Sequence, residues 1–296
     1  MDRIASVVVP ALPLQLLLRD RPKWREVPTV VVQDDRPQAP ILWANVLARR
    51  ARILPGMTYA AARNLASDLR AGTVGDDVID KATGRLFVTL CGYSPRVEPV
   101  RGDAGAFWLD PNGLDSLFGD LGAWSTAVVD ALRGRDLFAS CVVGFHRFRT
   151  LTLARTRTGV HVLGDPRHER RLADTVGLHQ LGMTPRLHDE LLVLGVRTLG
   201  DLLQLPAAEL RARFGEEAAA VHAAASDTQV LLDARPLVDP VIDELPLDPP
   251  DDDHTRLLFG LRGVLHRMLG RLAARGQALT TLRIVLELDH ASAVEV

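Results

Sequence analysis

The stretch Leu194-Gly195-Val196-Arg197-Thr198-Leu199-Gly200-Asp201-Leu202-Leu203 decides how the second half of this chain is read. It sets glycine, with a small polar residue close by, between two helical segments. A looser version precedes it, Leu178-His179-Gln180-Leu181-Gly182-Met183-Thr184-Pro185. A glycine turn leading into a helix exposes free backbone N–H groups, and the helix dipole favours an anion there. Such turns grip a phosphate without reading base sequence. The same residues also suit an ordinary αα-hairpin with glycine caps. On the next helix Arg211 and Arg213, beside Phe214-Gly215, are placed to extend a phosphate contact.

Working outward, composition shifts near Gly164-Asp165-Pro166, and from there to about Asp227 only helices separated by Gly and Pro are expected. A Pro- and Asp-rich linker follows, Pro236 to Asp253. Leu257, Leu258, Leu261, Val264, Leu265, Met268, Leu269 and Leu272 then form one helical stripe, read as core packing, which Gly276 ends. Leu279 to Leu288 alternates as a strand. One helix and one strand make a poor domain, so this last unit is expected to be truncated.

Towards the N-terminus, strands and helices alternate, which argues α/β. Strands are expected at Arg3 to Val9, Thr29 to Val32, Ile41 to Ala44, Val97 to Val100, Phe107 to Leu109 and Ala139 to Val143. Helices are expected at Leu14 to Arg19, Val46 to Arg52 with Asn45 as cap, Thr58 to Leu69, Ile79 to Leu90 and Ala123 to Leu132.

The chain has 296 residues, 47% hydrophobic, enough for about two domains with real cores. No apolar run reaches the roughly 18 residues that a membrane helix needs, so no membrane partner is expected. The two cysteines, Cys91 and Cys141, read as reduced core residues, and the expected location is cytoplasmic. The net charge of −2 hides an uneven distribution: nine arginines face three acids between Arg133 and Arg171, while Asp239 to Asp253 holds seven acids and no base. The arginine-rich middle, Arg147 and Arg149 included, supplies what phosphate contacts require, and equally suits a solvated basic surface. None of the nine histidines has metal-ligand spacing.

The second glycine stretch matches the L-G-[IV]-x-T-[IL]-G-D-L pattern of helix-hairpin-helix proteins; the first is degenerate. Together with Asn45, Ala48-Arg49-Arg50, Pro55-Gly56-Met57, Ser94-Pro95-Arg96-Val97-Glu98, Trp108-Leu109-Asp110, Leu117-Phe118-Gly119 and Val143-Gly144-Phe145, the order of blocks resembles the Y-family, translesion-type DNA polymerases over nearly the whole chain. The resemblance implies a multi-domain α/β fold: a palm at 1–10 and 75–164, fingers at 11–74, a helix-hairpin-helix thumb at 165–233, a linker at 234–253 and the start of an α+β little finger at 254–296. Pro10 to Gln15, Asp34-Asp35-Arg36-Pro37, Ile41-Leu42-Trp43 and Phe107-Trp108-Leu109-Asp110 are similar to the ImuB-type group, noncatalytic polymerase-like subunits of a bacterial mutasome.

Family members hold two metal ions on carboxylates. By the resemblance those ligand positions fall on Val8, Gly105 and Ala106, so no catalytic residue, metal or other cofactor is expected. The former metal site should be an apolar floor, with the Val8 strand beside the Phe107 strand. The family's triphosphate tyrosine aligns with Val46 and its aromatic pair with Leu12-Pro13, which leaves Arg49 as the nucleotide-binding remnant. The leading expectation is a noncatalytic scaffold that sits on primer–template DNA through Gly182, Gly195, Gly200, Arg197, Arg211, Arg213, Arg147 and Arg149. Its implied partners are the sliding clamp, an ImuA-type protein and an error-prone replicative-type polymerase. Two alternatives remain at this point. One is an active polymerase with ligands relocated to Asp103, Asp110 or Asp115. The other is a helix-hairpin-helix DNA-binding module with an unrelated N-terminal domain.

Overall fold

A computed structural model describes residues 2–227, 232–233, 241–247, 253–274, 276, 278–279, 282–288 and 291–295. The chain divides into two units, Met1–Pro236 and Leu237–Val296.

In the first unit the elements run β1 (Ile4–Val8), α1 (Leu12–Asp20), β2 (Thr29–Val32), β3 (Ile41–Ala44), α2 (Val46–Arg50), α3 (Tyr59–Arg63), β4 (Arg70–Gly72), α4 (Asp76–Cys91), β5 (Val97–Pro99), β6 (Ala106–Leu109), α5 (Asp115–Phe118), α6 (Leu121–Arg133), β7 (Ser140–Gly144), α7 (Arg147–Thr156) and β8 (Gly159–Val162). Four helices follow: α8 (Pro166–Asp174), α9 (Pro185–Val193), α10 (Leu199–Leu203) and α11 (Ala207–Ser226). One sheet has the order β5-β6-β1-β7-β8 and a second, smaller one the order β3-β2-β4.

β1 is buried at every position. It pairs antiparallel with β6 and with β7, and its side chains serve two cores by simple alternation. Ala5 and Val7, with Val9 just beyond, pack with Leu86 and Leu90 of α4 and Trp124 and Val128 of α6. Val8 faces the other way, into a core shared with Leu151 and Leu153 of α7 and with Leu178, Leu187, Leu199 and Leu202 of the helical block. A strand covered on both faces is apolar apart from polar groups that find a partner, as the Ser6 hydroxyl does with that of Thr150 at 2.8 Å, and this is why Val7-Val8-Val9 is legible as strand.

The small sheet is tied by Asn45. Its side-chain oxygen accepts from Ala48 N, capping α2, and from Thr29 N, while its amide donates to Val27 O. Two expectations are corrected here. α3 stops at Arg63 instead of Leu69, because Arg70–Gly72 pairs parallel with β2. The arginine-rich middle also contains a helix, α7, and a strand, β8, that the sequence does not signal. In α7 the six residues Arg149 to Ala154 are all buried, so no one-sided stripe exists to mark it.

The helical block is locked to the sheet by a buried acid. Glu169 of α8 is fully buried, and its carboxylate accepts from the amides of Phe145 and His146 at 2.9 and 3.1 Å. Gly144 makes room: a Cβ there would lie 2.6 Å from Thr150 Cγ2 and 3.0 Å from Glu169 Oε1. His146 caps α7 by accepting from Arg149 N.

In the second unit, α12 (His254–Ala274) is followed by the antiparallel pair β9 (Val285–Leu288) and β10 (Ala291–Glu295). Leu245 packs where a Cβ on Gly260 would be. The stripe read as core is partly covered among the described residues: Val264 is buried, Leu257, Leu261, Leu265, Met268 and Leu272 are half-buried, and Leu258 and Leu269 are exposed. Part of the linker, 234–240 and 248–252, and part of the strand expected from Leu279 lie outside the described residues.

Burial pushes the Glu169 carboxyl up to about 7 from 4.5, and burial pulls the His146 imidazole down to about 4 from 6.5. The two act in opposite directions. A raised acid contributes stability at low pH that is lost as pH rises through about 7; a lowered base contributes stability above 6.5 that is lost as pH falls through about 4. Between 4.5 and 6.5 they offset, so wild-type stability should change little with pH from these groups. Glu169→Gln removes one half of the pair and orphans an amide, at a cost of about 1–3 kcal/mol. Urea unfolding of that variant should show stability falling steadily on acidification, a slope absent from wild type.

Candidate functional site

At the end of β1, Val8 stands opposite Ala106 on β6 and opposite Ser140 on β7. Val8 is 4% exposed and Ala106 1%. Gly105 is buried, has φ +89°, and its carbonyl accepts from Val9 N at 2.9 Å. The two strands pair as expected, and the side chains at this corner are apolar and buried. Asp103, two residues earlier, receives both Nε and Nη2 of Arg155 on one carboxylate oxygen, at 3.0 and 2.6 Å. Asp110 accepts from the amide and side chain of Asn112, and Asp115 is exposed at the start of α5. Among the described residues no group of three His, Cys, Asp or Glu side chains is placed to share a cation. Leu12 and Pro13 lie buried in α1, Val46 is exposed, and exposed Arg49 donates Nε to Ala44 O.

The two glycine turns differ from their sequence ranking. In the better-matched one the N–H groups of Gly195 to Thr198 are consumed internally. Gly195 N donates to Leu192 O, Val196 N to Leu191 O, and both Arg197 N and Thr198 N to the Asp201 carboxylate. Thr198 and Asp201 form a reciprocal capping box, and the Arg197 amide first among these donors holds the Asp201 carboxyl below its ordinary value. Gly200 packs against α8, with Asp174 O only 3.0 Å from where a Cβ would stand. The free amides expected here are corrected for Gly195 to Thr198: this hairpin braces the block, while the side chains of Leu194 and Arg197 are exposed.

The degenerate turn is the open one. Gly182 is exposed with φ +78°, and among the described residues the amides of Gly182 and Met183 have no partner. Thr184 caps α9, and its amide and hydroxyl donate to the Glu217 carboxylate at 2.6 and 2.8 Å. Glu217 follows Gly215, whose φ of 78° and ψ of −170° break α11 into two helices. A third glycine turn thus sits beside the first, with exposed Arg211 and Arg213 on its approach. Arg211 pairs with Glu216 at 3.0 Å, and Arg213 lies 5.9 Å from the Phe214 ring. Neither Glu217 nor the helix break is among the sequence expectations; the available signal is Phe214-Gly215-Glu216-Glu217, a glycine followed by acids as at a helix start.

Two of the expected DNA-contacting arginines face inward. Arg149 is buried and donates to Ala225 O at 3.2 Å, fastening α7 to the end of α11. Arg147 pairs with Glu98 at 2.5 Å and lies 4.2 Å over the Trp108 ring. Both are corrected from surface contacts to packing groups, because α7 is enclosed between sheet and helical block. The candidate phosphate-binding surface is accordingly the Gly182–Thr184 turn with Arg211 and Arg213, and Arg197 at its side.

No protein-family model matches this sequence, and comparison with curated proteins gives no match. Solved structures do match. The chain is similar to the crystal structure of DinB from Sulfolobus solfataricus, with 17% identity and a TM-score of 0.62 over 75% of this chain and 66% of that one, about two thirds of its length. It is similar to a Y-family DNA polymerase chimera built on Dbh, with 17% identity and a TM-score of 0.62 over 77% of this chain and 68% of that one. It is also similar to a Dbh ternary complex, with 15% identity and a TM-score of 0.61 over 99% of this chain and 86% of that one. The fold is that of the Y-family polymerases, a mixed α/β architecture with sheets and helices in the same arrangement.

If the second hairpin is a brace, Asp201→Ala should cost about 1 kcal/mol of stability through removal of the cap. It should leave DNA affinity unchanged to within about twofold when binding is followed by fluorescence anisotropy at fixed salt, since the candidate phosphate surface lies elsewhere. A large affinity gain on freeing those amides would show instead that they face DNA.

Proposed function

We propose that this chain is a noncatalytic, Y-family polymerase-like scaffold that holds primer–template DNA by its phosphate backbone in bacterial translesion synthesis and damage-induced mutagenesis. The observation that carries the reading is the Val8–Ala106 pair, two buried apolar side chains on a polymerase-like sheet where the resemblance implies carboxylates. Nucleotidyl transfer needs metal ions held by such acids. Support for DNA binding comes from the open Gly182–Met183 amides and the exposed Arg197, Arg211 and Arg213. The solved neighbours include an insertion ternary complex of Dbh DNA polymerase.

Relocated ligands find no support. Asp103 is held by Arg155, Asp110 is engaged by Asn112, and Asp115 points to solvent from a different element. A helix-hairpin-helix module on an unrelated N-terminal domain is not favoured either, since the sheet and the helical block match the same solved fold. The ImuB-type resemblance extends the proposal to a cytoplasmic mutasome, with the sliding clamp, an ImuA-type protein and an error-prone replicative-type polymerase as partners. Arg49 remains the one side chain proposed to touch an incoming nucleotide.

Binding should be independent of base sequence and of divalent metal, and should weaken steeply with salt. Reversing Arg211 and Arg213 to Glu should weaken all sequences alike and lower the log–log salt slope by about 2, one for each phosphate that is no longer neutralised. Reversing Arg149 should instead damage folding, visible as a lower Tm. Anisotropy titrations across a salt series test this. Binding indifferent to salt, or confined to one sequence, would contradict it.

A further inference from the structure

The fold family implies magnesium at the end of β1, and the residues present do not fit it. Magnesium demands near-octahedral oxygen ligands. Here the paired positions are Val8 and Ala106, both buried in the core beneath α7. The backbone departs too. Gly105 has φ +89°, and a Cβ there would lie 3.1 Å from Val9 O and 3.2 Å from Leu12 Cβ. Neither neighbour is the far end of a flexible side chain: one is a carbonyl, the other the first carbon of a fully buried leucine. A side chain at that position meets both strain and crowding.

We infer that this corner of the sheet carries its own cation: the Arg155 guanidinium, held by Asp103, ties together the two segments flanking the end of β1, so that the corner is complete without a metal ion. The inference rests on the noncatalytic reading above. On one flank, Gly105 O takes the Val9 amide and Ala106 faces Val8; Asp103 is in the turn just before them, closed by Asp103 N to Val100 O and Ala106 N to Asp103 O. On the other flank, Ser140 faces Val8 and donates its hydroxyl to Ala154 O; Arg155 is the next residue. The Arg155–Asp103 pair joins these flanks with two charge-assisted hydrogen bonds. Its side chains are 26% and 33% exposed, shielded enough for the charges to matter and open enough to need no further partner. Turn and helix end are thereby fixed by a covalently attached cation where a bound ion would otherwise screen acids.

The test is thermal unfolding of the full chain with manganese and with chelator. Wild-type Tm should be the same in both. Arg155→Met should lower Tm by about 2–4 °C or more. The swap Asp103→Arg with Arg155→Asp should recover more than half of that decrease. Val8→Asp with Ala106→Glu, which leaves Gly105 untouched, should be destabilised and should gain nothing from manganese. A manganese-dependent rise in Tm for wild type or for that double variant overturns the inference. So does an Arg155→Met chain as stable as wild type, or a swap no better than either single change. If the acid-restored variant does not fold, the wild-type and Arg155 arms still decide. No arm contains DNA, so failure of the DNA-holding reading would not affect the result.

Discussion

The structure hangs on β1, hydrogen-bonded along both edges and covered on both faces. A strand in that position has no solvent side, and each residue is committed to one of two cores. Val7 and Val9 belong to the core under α4 and α6, while Val8 belongs to the core that continues into the helical block. A carboxylate at Val8 would need a cation to offset its desolvation. With valine, the same position adds apolar contact between sheet and helices instead. The apolar end of β1 and the firm seating of the helical block are two results of one residue pattern.

That seating is reinforced by polar groups which a sequence reader would assign to the surface. Glu169 accepts two amides beneath the β7–α7 loop, and Arg149 crosses to the end of α11. Buried charges of this kind are costly to break, since removing one partner strands the other. They fix the glycine-turn surface relative to the sheet. A rigid backbone surface that presents amides and arginines suits a phosphate track whose spacing does not depend on base sequence.

Much of this is legible in the sequence, for identifiable reasons. The apolar run Val7-Val8-Val9 that ends β1, the Asn45 and Thr58 caps and the glycine turns are local signals, and the structure has each of them. β4 is not legible because Arg70-Ala71-Gly72 has no strand character of its own and is extended only by pairing with β2. α7 is not legible because burial all round leaves no periodicity. Counting arginines misleads in the middle of the chain: Arg147, Arg149 and Arg155 are engaged by Glu98, Ala225 O and Asp103. The hairpin ranking also reverses, since Asp201 fits the family pattern and at the same time takes the amides that the pattern suggests are open. The apolar corner, by contrast, is legible from single positions, because the side chains of Val8 and Ala106 carry no atom that can ligate a metal.

The central claim is that a polymerase-like fold here holds DNA and does not extend it. The most direct test is primer extension with magnesium or manganese, at protein concentrations where the same primer–template is shown by anisotropy to be bound. Bound DNA with no incorporation above a mock-purified control is the expected result. Metal-dependent addition of nucleotides that tracks with the protein through purification would contradict it.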